Sequence, residues 1–102
     1  NPSAVADPWK RLKMERIVLL LRAAIAAANR VGLMLNVRRD RLEPVLAILP
    51  ALGTPTISAL ADPKWVAVNT VIEEHLVREM VPALREAGAR GIVEYPLNKI
   101  VE

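Results

Sequence analysis

The sequence of 102 residues contains no cysteine and no phenylalanine, and its only aromatic residues are two tryptophans and one tyrosine. Without cysteine the chain has no disulfide, no thiolate chemistry and no cysteine-type zinc site, which fits a cytoplasmic setting. Hydrophobic residues still make up 53% of the chain, so we expect a core of leucine, valine, isoleucine and alanine. A chain of this length is expected to build one modest core.

The sequence also lacks a basic block and a long apolar run. Its 14 lysines and arginines are scattered among 11 acidic residues, for a net charge of +3. Nucleic-acid binding needs clustered cations and stacking aromatics, so that class is not expected. The longest apolar run, 17–28, is interrupted by Arg22 and is shorter than the roughly 20 residues that span a membrane. The chain starts without methionine or a signal peptide, and we expect a soluble piece of a longer protein.

The first thirty residues differ in pattern from the rest. Two prolines among small residues predict a linker over 1–9, and strong helix formers predict a helix over 11–30 that Gly32 ends. The polar residues of this helix share one narrow stripe, so much of its leucine and alanine surface needs a partner outside a small domain. We therefore separate residues 1–30 from a compact domain over 31–102.

The compact domain alternates between strand and helix patterns. Alternating apolar residues predict four strands, at residues 33–37, 56–59, 65–72 and 91–97. A turn over 61–64 joins the second and third strands. The order strand, helix, strand, strand, helix, strand is that of an α+β, ferredoxin-like βαββαβ sandwich.

Two helices are predicted within this domain. Helical spacing predicts the first over 42–49, with Asp40 and Glu43 as a capping box. The second begins at Glu73 and Glu74 and ends at Gly88, and it carries a proline on its solvent face.

The sequence offers little for catalysis. We interpret His75 as a surface residue, because it has no nucleophile or metal-ligand partner at a suitable spacing. The carboxylates are spread over turns and helix surfaces, and no glycine-rich phosphate loop is present. Acylphosphatases share the predicted strand order, and Arg38, Arg39 and Asn69 are the residues that would have to take their catalytic roles.

Three stretches carry a family resemblance: LPALGTPTISAL at 49–60, WVAV at 65–68, and GARGI at 88–92 followed by Pro96. From about Lys13 to Ile100 the chain resembles the C-terminal regulatory domain of long-form ATP phosphoribosyltransferase, the first enzyme of histidine biosynthesis. That resemblance implies a PII-like version of the ferredoxin-like sandwich. It also makes residues 1–30 similar to the end of the preceding catalytic domain.

The resemblance implies feedback control. Domains of this family bind L-histidine, assemble around threefold contacts into a hexamer, and slow distant catalytic domains. This segment would then be non-catalytic and free of cofactors. The reaction of ATP with phosphoribosyl pyrophosphate, with Mg²⁺, would belong to the catalytic domain, and neither a membrane nor a nucleic acid is an expected partner.

By the same resemblance the effector pocket lies between neighbouring domains, at positions that correspond to Asn36, Leu52, Thr56, Val71 and Gly91. A hydroxyl, a glycine and apolar walls suit an amino-acid zwitterion. Each residue also has a structural interpretation: Thr56 as an ordinary strand residue, Gly91 as a bulge, and the two apolar residues as core.

Asn36 departs from the pattern that the resemblance implies. Some family members have a carboxylate at this position, and a neutral amide accepts a weaker hydrogen bond from an ammonium group than a carboxylate does. The sequence therefore leaves two alternatives: a histidine-sensing domain of reduced affinity, or a purely structural assembly domain.

Overall fold

The computed structural model of the protein describes residues 7–50 and 54–101. Contacts between Cα atoms divide the chain into two units. One unit is Asn29–Pro96, and the other combines the residues up to Ala28 with those from Leu97 onward.

The smaller unit is built on the helix α1, Pro8–Ala28. Asp7 caps it, since its Oδ1 accepts hydrogen bonds from the backbone N–H groups of Trp9 at 3.0 Å and Lys10 at 3.4 Å. A proline in the first turn is favourable because its missing N–H has no helical partner there. The predicted linker over 1–9 is thus wrong for its last two residues, which are helical, and its first six lie outside the described residues.

α1 exposes most of its large apolar side chains, as its narrow polar stripe predicts. Its buried residues are Ala23 and Ala27, and the backbone N–H of Ile100 donates to the carbonyl of Ala23 at 3.0 Å. The exposed apolar side chains belong to Trp9, Leu12, Met14, Ile17, Val18, Leu19, Leu20, Leu21 and Ile25.

The larger unit contains one antiparallel sheet. Its strands are β1 Arg30–Arg38, β2 Thr56–Ala59, β3 Trp65–Glu73 and β4 Arg90–Pro96. They lie in the order β2-β3-β1-β4. Its helices are α2 Leu42–Ile48, which follows a 3₁₀ turn at Arg39–Arg41, and α3 Glu74–Ala87. This connectivity and strand order confirm the predicted ferredoxin-like α+β fold.

The core lies between α2, α3 and one face of the sheet. Side chains alternate along a strand, so every second residue of β1 and β3 points to the helices. The largest fully buried side chains are all aliphatic, which confirms the predicted composition of the core: Leu33, Leu35, Ile72, Leu84, Val37, Val45, Val66 and Val68. Thr70, which pairs with Leu33, is the buried polar residue of this face.

Gly32 does not end α1, contrary to the prediction. α1 stops at Ala28 and β1 begins at Arg30, so Gly32 lies inside a strand, where it pairs with Val71 and Tyr95. A Cβ atom at Gly32 would overlap the Tyr95 ring. The glycine is therefore needed for the close approach of an aromatic side chain to the backbone.

The predicted capping box is also wrong. Asp40 lies in the 3₁₀ turn, and its carboxylate accepts from the Arg38 guanidinium at 3.3 Å. The residue at the N-cap of α2 is Arg41, which makes no side-chain capping hydrogen bond. The nearby cation is thus a better partner for Asp40 than the helix terminus is.

The predicted turn between β2 and β3 and the predicted end of α3 are confirmed. Asp62 closes the predicted turn, with its Oδ1 accepting from Lys64 N at 2.9 Å. Gly88, at φ 120°, ends α3, and the exposed Pro82 lies within that helix without ending it.

In the part of the chain that the structure describes, no helix has the length and apolarity that a membrane crossing needs.

Candidate functional site

The face of the sheet that α2 and α3 do not cover, termed here the open face, carries the candidate site. On β1 it presents Gly32, Met34, Asn36 and Arg38, since the residues between them enter the core. Met34 is 44% exposed, and Val93 beside it on β4 is 51% exposed. A half-apolar face of this kind is typical of a surface that binds a ligand or another subunit.

Of the predicted site residues that the structure describes, Thr56, Val71 and Asn36 lie on this face, and Gly91 lies in a bulge at the β4 end of it. Thr56 belongs to β2, Val71 to β3, Asn36 to β1 and Gly91 to β4, so each strand contributes one residue. The strand register places Thr56 opposite Asn69 and Val71 opposite Gly32. The fifth predicted residue, Leu52, lies outside the described residues.

Residues that face each other across the strands form rows on the open face. The middle row consists of Thr56, Asn69, Met34 and Val93. The row on one side of it consists of Val71, Gly32 and Tyr95. The row on the other side consists of Ser58, Ala67 and Asn36; Arg90 pairs with Asn36 on β4, but its guanidinium donates to the Arg85 carbonyl of α3 at 3.0 Å.

The four predicted residues therefore form two pairs. Thr56 and Val71 are diagonal neighbours on adjacent strands, a spacing of roughly 7 to 8 Å between α-carbons. Asn36 and Gly91 meet at the boundary of β1 and β4. Thr56 lies two strands away from Asn36, and Val71 pairs with Gly32, four residues or about 13 Å along β1 from Asn36. The two pairs are therefore separate on a single chain.

A bulge explains the position of Gly91. The register between β1 and β4 shifts between Met34 and Asn36, where β4 contributes one extra residue. Gly91 adopts φ +57°, which suits the left-handed position of such a bulge. A Cβ atom at this glycine would lie 3.7 Å from Asn36 Nδ2, so Asn36 covers the bulge. The structural interpretation of Gly91 is confirmed, and its role in a pocket stays a prediction.

Sequence reasoning did not identify the polar pair in the centre of this face. The Tyr95 hydroxyl donates to Asn69 Oδ1 at 2.8 Å and so connects β4 to β3 across β1. The alternation of β4 would have placed Tyr95 on the open face, but only the strand order shows that it reaches Asn69.

The acylphosphatase arrangement is not formed. Arg38 pairs with Trp65, four residues along β3 from Asn69, which is a separation of about 13 Å. Arg38 contacts Asp40, and Arg39 Nε donates to the Pro63 carbonyl at 3.1 Å. The arginines therefore do not converge with Asn69 on a common phosphate position.

Other candidates for chemistry are equally dispersed. The His75 side chain is 72% exposed, and its Nε2 lies 3.5 Å from Glu73 Oε2, which agrees with a surface residue. The described ranges hold no group of three or more histidine, aspartate or glutamate side chains that could bind a metal ion. A cavity of about 310 Å³ between α3 and β4 contains Gly91 alone of the predicted residues.

Fold and open face together define a ferredoxin-like α+β domain with one face of its sheet exposed. The family model of the HisG C-terminal domain matches residues 27–99, and the chain belongs to that family. The chain is 56% identical over 101 residues to the ATP phosphoribosyltransferase of Solibacter usitatus (strain Ellin6076). It is 58% identical over 101 residues to that of Koribacter versatilis (strain Ellin345).

These two alignments cover 99% of this chain and 35% of each relative. The chain thus spans about a third of the length of the curated relatives it matches. The family resemblance stated from the sequence is confirmed.

Proposed function

We propose that this chain is the regulatory and assembly module of an ATP phosphoribosyltransferase of histidine biosynthesis, and that it binds L-histidine at its open face. The observation that carries the proposal is that Thr56, Val71 and Asn36, from three neighbouring strands, share one face of the sheet, with Gly91 in the bulge beside Asn36. Membership of the HisG C-terminal domain family, and relatives named ATP phosphoribosyltransferase, support it.

Each of the two pairs binds a different part of the zwitterion. The Thr56 hydroxyl provides a donor beside the apolar wall of Val71, and the amide oxygen of Asn36 can accept from an ammonium group beside the bulge at Gly91. Because the pairs are separate on a single chain, each forms half of a site that a neighbouring copy completes. The proposal therefore includes a homo-oligomer with threefold contacts and, in the whole enzyme, a hexamer.

α1 is the proposed contact with the rest of the enzyme. Its exposed apolar side chains are suited to packing against the catalytic part of the same polypeptide. Catalysis on ATP and phosphoribosyl pyrophosphate, with Mg²⁺, is assigned to that part. Histidine acts on it by binding one quaternary arrangement more tightly than another, which is the only way in which a ligand shifts an equilibrium.

Calorimetry with L-histidine tests the proposal on the purified protein, in the longest form that its gene encodes. Thr56→Val keeps the β-branched shape and removes the hydroxyl, so we expect a roughly 5- to 10-fold weaker histidine affinity from the lost hydrogen bond. Ser58→Ala removes the next hydroxyl on the same face of β2 and is expected to leave the affinity unchanged. Equal affinities for the wild-type protein and Thr56→Val would contradict the assignment of Thr56.

The second candidate function is a purely structural assembly domain, and Asn36 favours it, because its amide lacks the charge of a carboxylate. Size-exclusion chromatography with and without L-histidine separates the two. An intact oligomer that binds no histidine supports assembly alone.

A further inference from the structure

We infer that Asn69, oriented by Tyr95, is the residue that recognises the carboxylate of the amino-acid ligand on the open face. The inference rests on the proposed function and adds to it a specificity-determining residue, Asn69, and a positioning residue, Tyr95.

The first observation is the way in which Tyr95 is held. Its half-buried ring lies against the backbone of β1 at Gly32, where no Cβ atom would fit. From that position its hydroxyl reaches over β1 and donates to Asn69 Oδ1 at 2.8 Å. Packing against Gly32 holds the ring in place, and the hydroxyl on that ring then sets the orientation of the Asn69 amide.

The second observation is what this bond leaves available on Asn69. A side-chain amide has one acceptor oxygen and an NH₂ group with two donors. The Tyr95 hydroxyl takes one lone pair of the oxygen and orients the amide, so Nδ2, with both of its hydrogens, is the donor that the exposed side chain presents. A carboxylate accepts hydrogen bonds and donates none, and it is therefore the ligand group that this donor suits.

The third observation is the position of Asn69 among the predicted site residues. It lies directly opposite Thr56 on β2, and Val71 is the next residue of β3 on the same face. The seven residues of the middle row and of the row of Val71 are all uncharged. No anion among them repels a carboxylate, and the Asn69 amide and Thr56 hydroxyl are neighbouring donors beside an apolar wall.

The test compares L-histidine with histamine, which has the same imidazole and ammonium groups and lacks the carboxylate. Calorimetry is performed on the protein in the longest form that its gene encodes. Asn69→Ala is expected to weaken histidine binding roughly tenfold and to leave histamine binding unchanged. Asn69→Asp is expected to weaken histidine further and to strengthen histamine, because its charge repels the carboxylate and attracts the ammonium group.

Two further variants separate positioning from folding. Tyr95→Phe keeps the ring over Gly32 and frees the Asn69 amide, so we expect a roughly 3- to 5-fold loss of histidine affinity in a folded protein whose thermal midpoint falls only by the effect of one hydrogen bond. Asn36→Ala is the contrast, because it is assigned to the ammonium group and should weaken both ligands equally. If Asn69→Ala fails to fold, Asn69→Asp and Tyr95→Phe give the same comparison.

The outcomes distinguish the two proposals. A wild-type protein that binds no histidine overturns the proposed function and this inference with it. A wild-type protein that binds histidine, with an unchanged preference over histamine in Asn69→Ala, overturns the inference and leaves the proposed function standing. Equal losses for both ligands together with a lowered thermal midpoint would show that Asn69 is structural, which also overturns it.

Discussion

Replacing Gly32 with alanine tests the packing of Tyr95 on the sheet. The glycine is not at positive φ, so alanine is compatible with its backbone and would by itself stabilise the protein by about 0.4 to 1 kcal/mol through the unfolded state. The added Cβ atom overlaps the Tyr95 ring, however. Overpacking of this kind costs about 1 to 3 kcal/mol. The displaced ring also loses its bond to Asn69, which is worth about 0.5 to 1.5 kcal/mol.

We therefore expect Gly32→Ala to lower the free energy of unfolding by about 1 to 3 kcal/mol in the wild-type background. In a Tyr95→Ala background the ring is absent, and the same substitution is expected to be neutral or stabilising by up to about 1 kcal/mol. The sign of the effect thus depends on a residue in another strand. The coupling energy of the double-mutant cycle is expected to be about 1 to 4 kcal/mol.

Urea unfolding followed by far-ultraviolet circular dichroism measures all four proteins of the cycle. The slope of the unfolding free energy against urea should stay constant, so that differences in midpoint report stability. An equal cost of Gly32→Ala with and without Tyr95 would refute the packing of the ring on the strand. It would also remove the support for the orientation of Asn69.

Two predictions concern α3. Leu84→Ala, at a core side chain that is 0% exposed, is expected to cost about 2 to 5 kcal/mol in urea unfolding, and a cost below about 1 kcal/mol would contradict its place in the core. Gly88→Ala is expected to cost about 1 to 3 kcal/mol, because φ is 120° there, a backbone conformation that L side chains rarely adopt. Unchanged stability of that variant would show that α3 can end without the glycine.

Period-two alternation made the sheet predictable. A sheet covered on one side must alternate, so Leu33, Leu35 and Val37 marked β1 before any pairing was known. The start of β1 was not predictable in the same way. A glycine between a predicted helix and a predicted strand is compatible with either a helix end or a strand interior. At Gly32 the reason for a glycine inside the strand is the Tyr95 ring, which lies far away in sequence.

Local competition explains the other errors. Asp40 had the spacing of a capping box, but Arg38 takes its carboxylate. The prolines and small residues around Pro8 predict a linker, although the pair of Asp7 and Pro8 is itself a helix-start signal that combines a capping side chain with a proline in the first turn.

The candidate site was predictable only in part. Alternation and hairpin pairing place Thr56 and Val71 on one face, because they fix the parity of each strand. The division of the predicted residues into two pairs depends on strand order, which puts β3 between Thr56 and Asn36. The contact of Tyr95 with Asn69 spans a whole strand, and no local pattern contains it.

The scarcity of aromatic residues has an optical consequence. The fully buried core is aliphatic, whereas Trp65 is half-buried on the open face, opposite Arg38, and Trp9 lies on α1. Intrinsic fluorescence therefore monitors the surface of this protein and not the packing of its interior. When Trp9 is replaced by phenylalanine, tryptophan emission comes from Trp65 alone. A change in that emission then reports the binding of a ligand or another subunit to the open face, without any added dye.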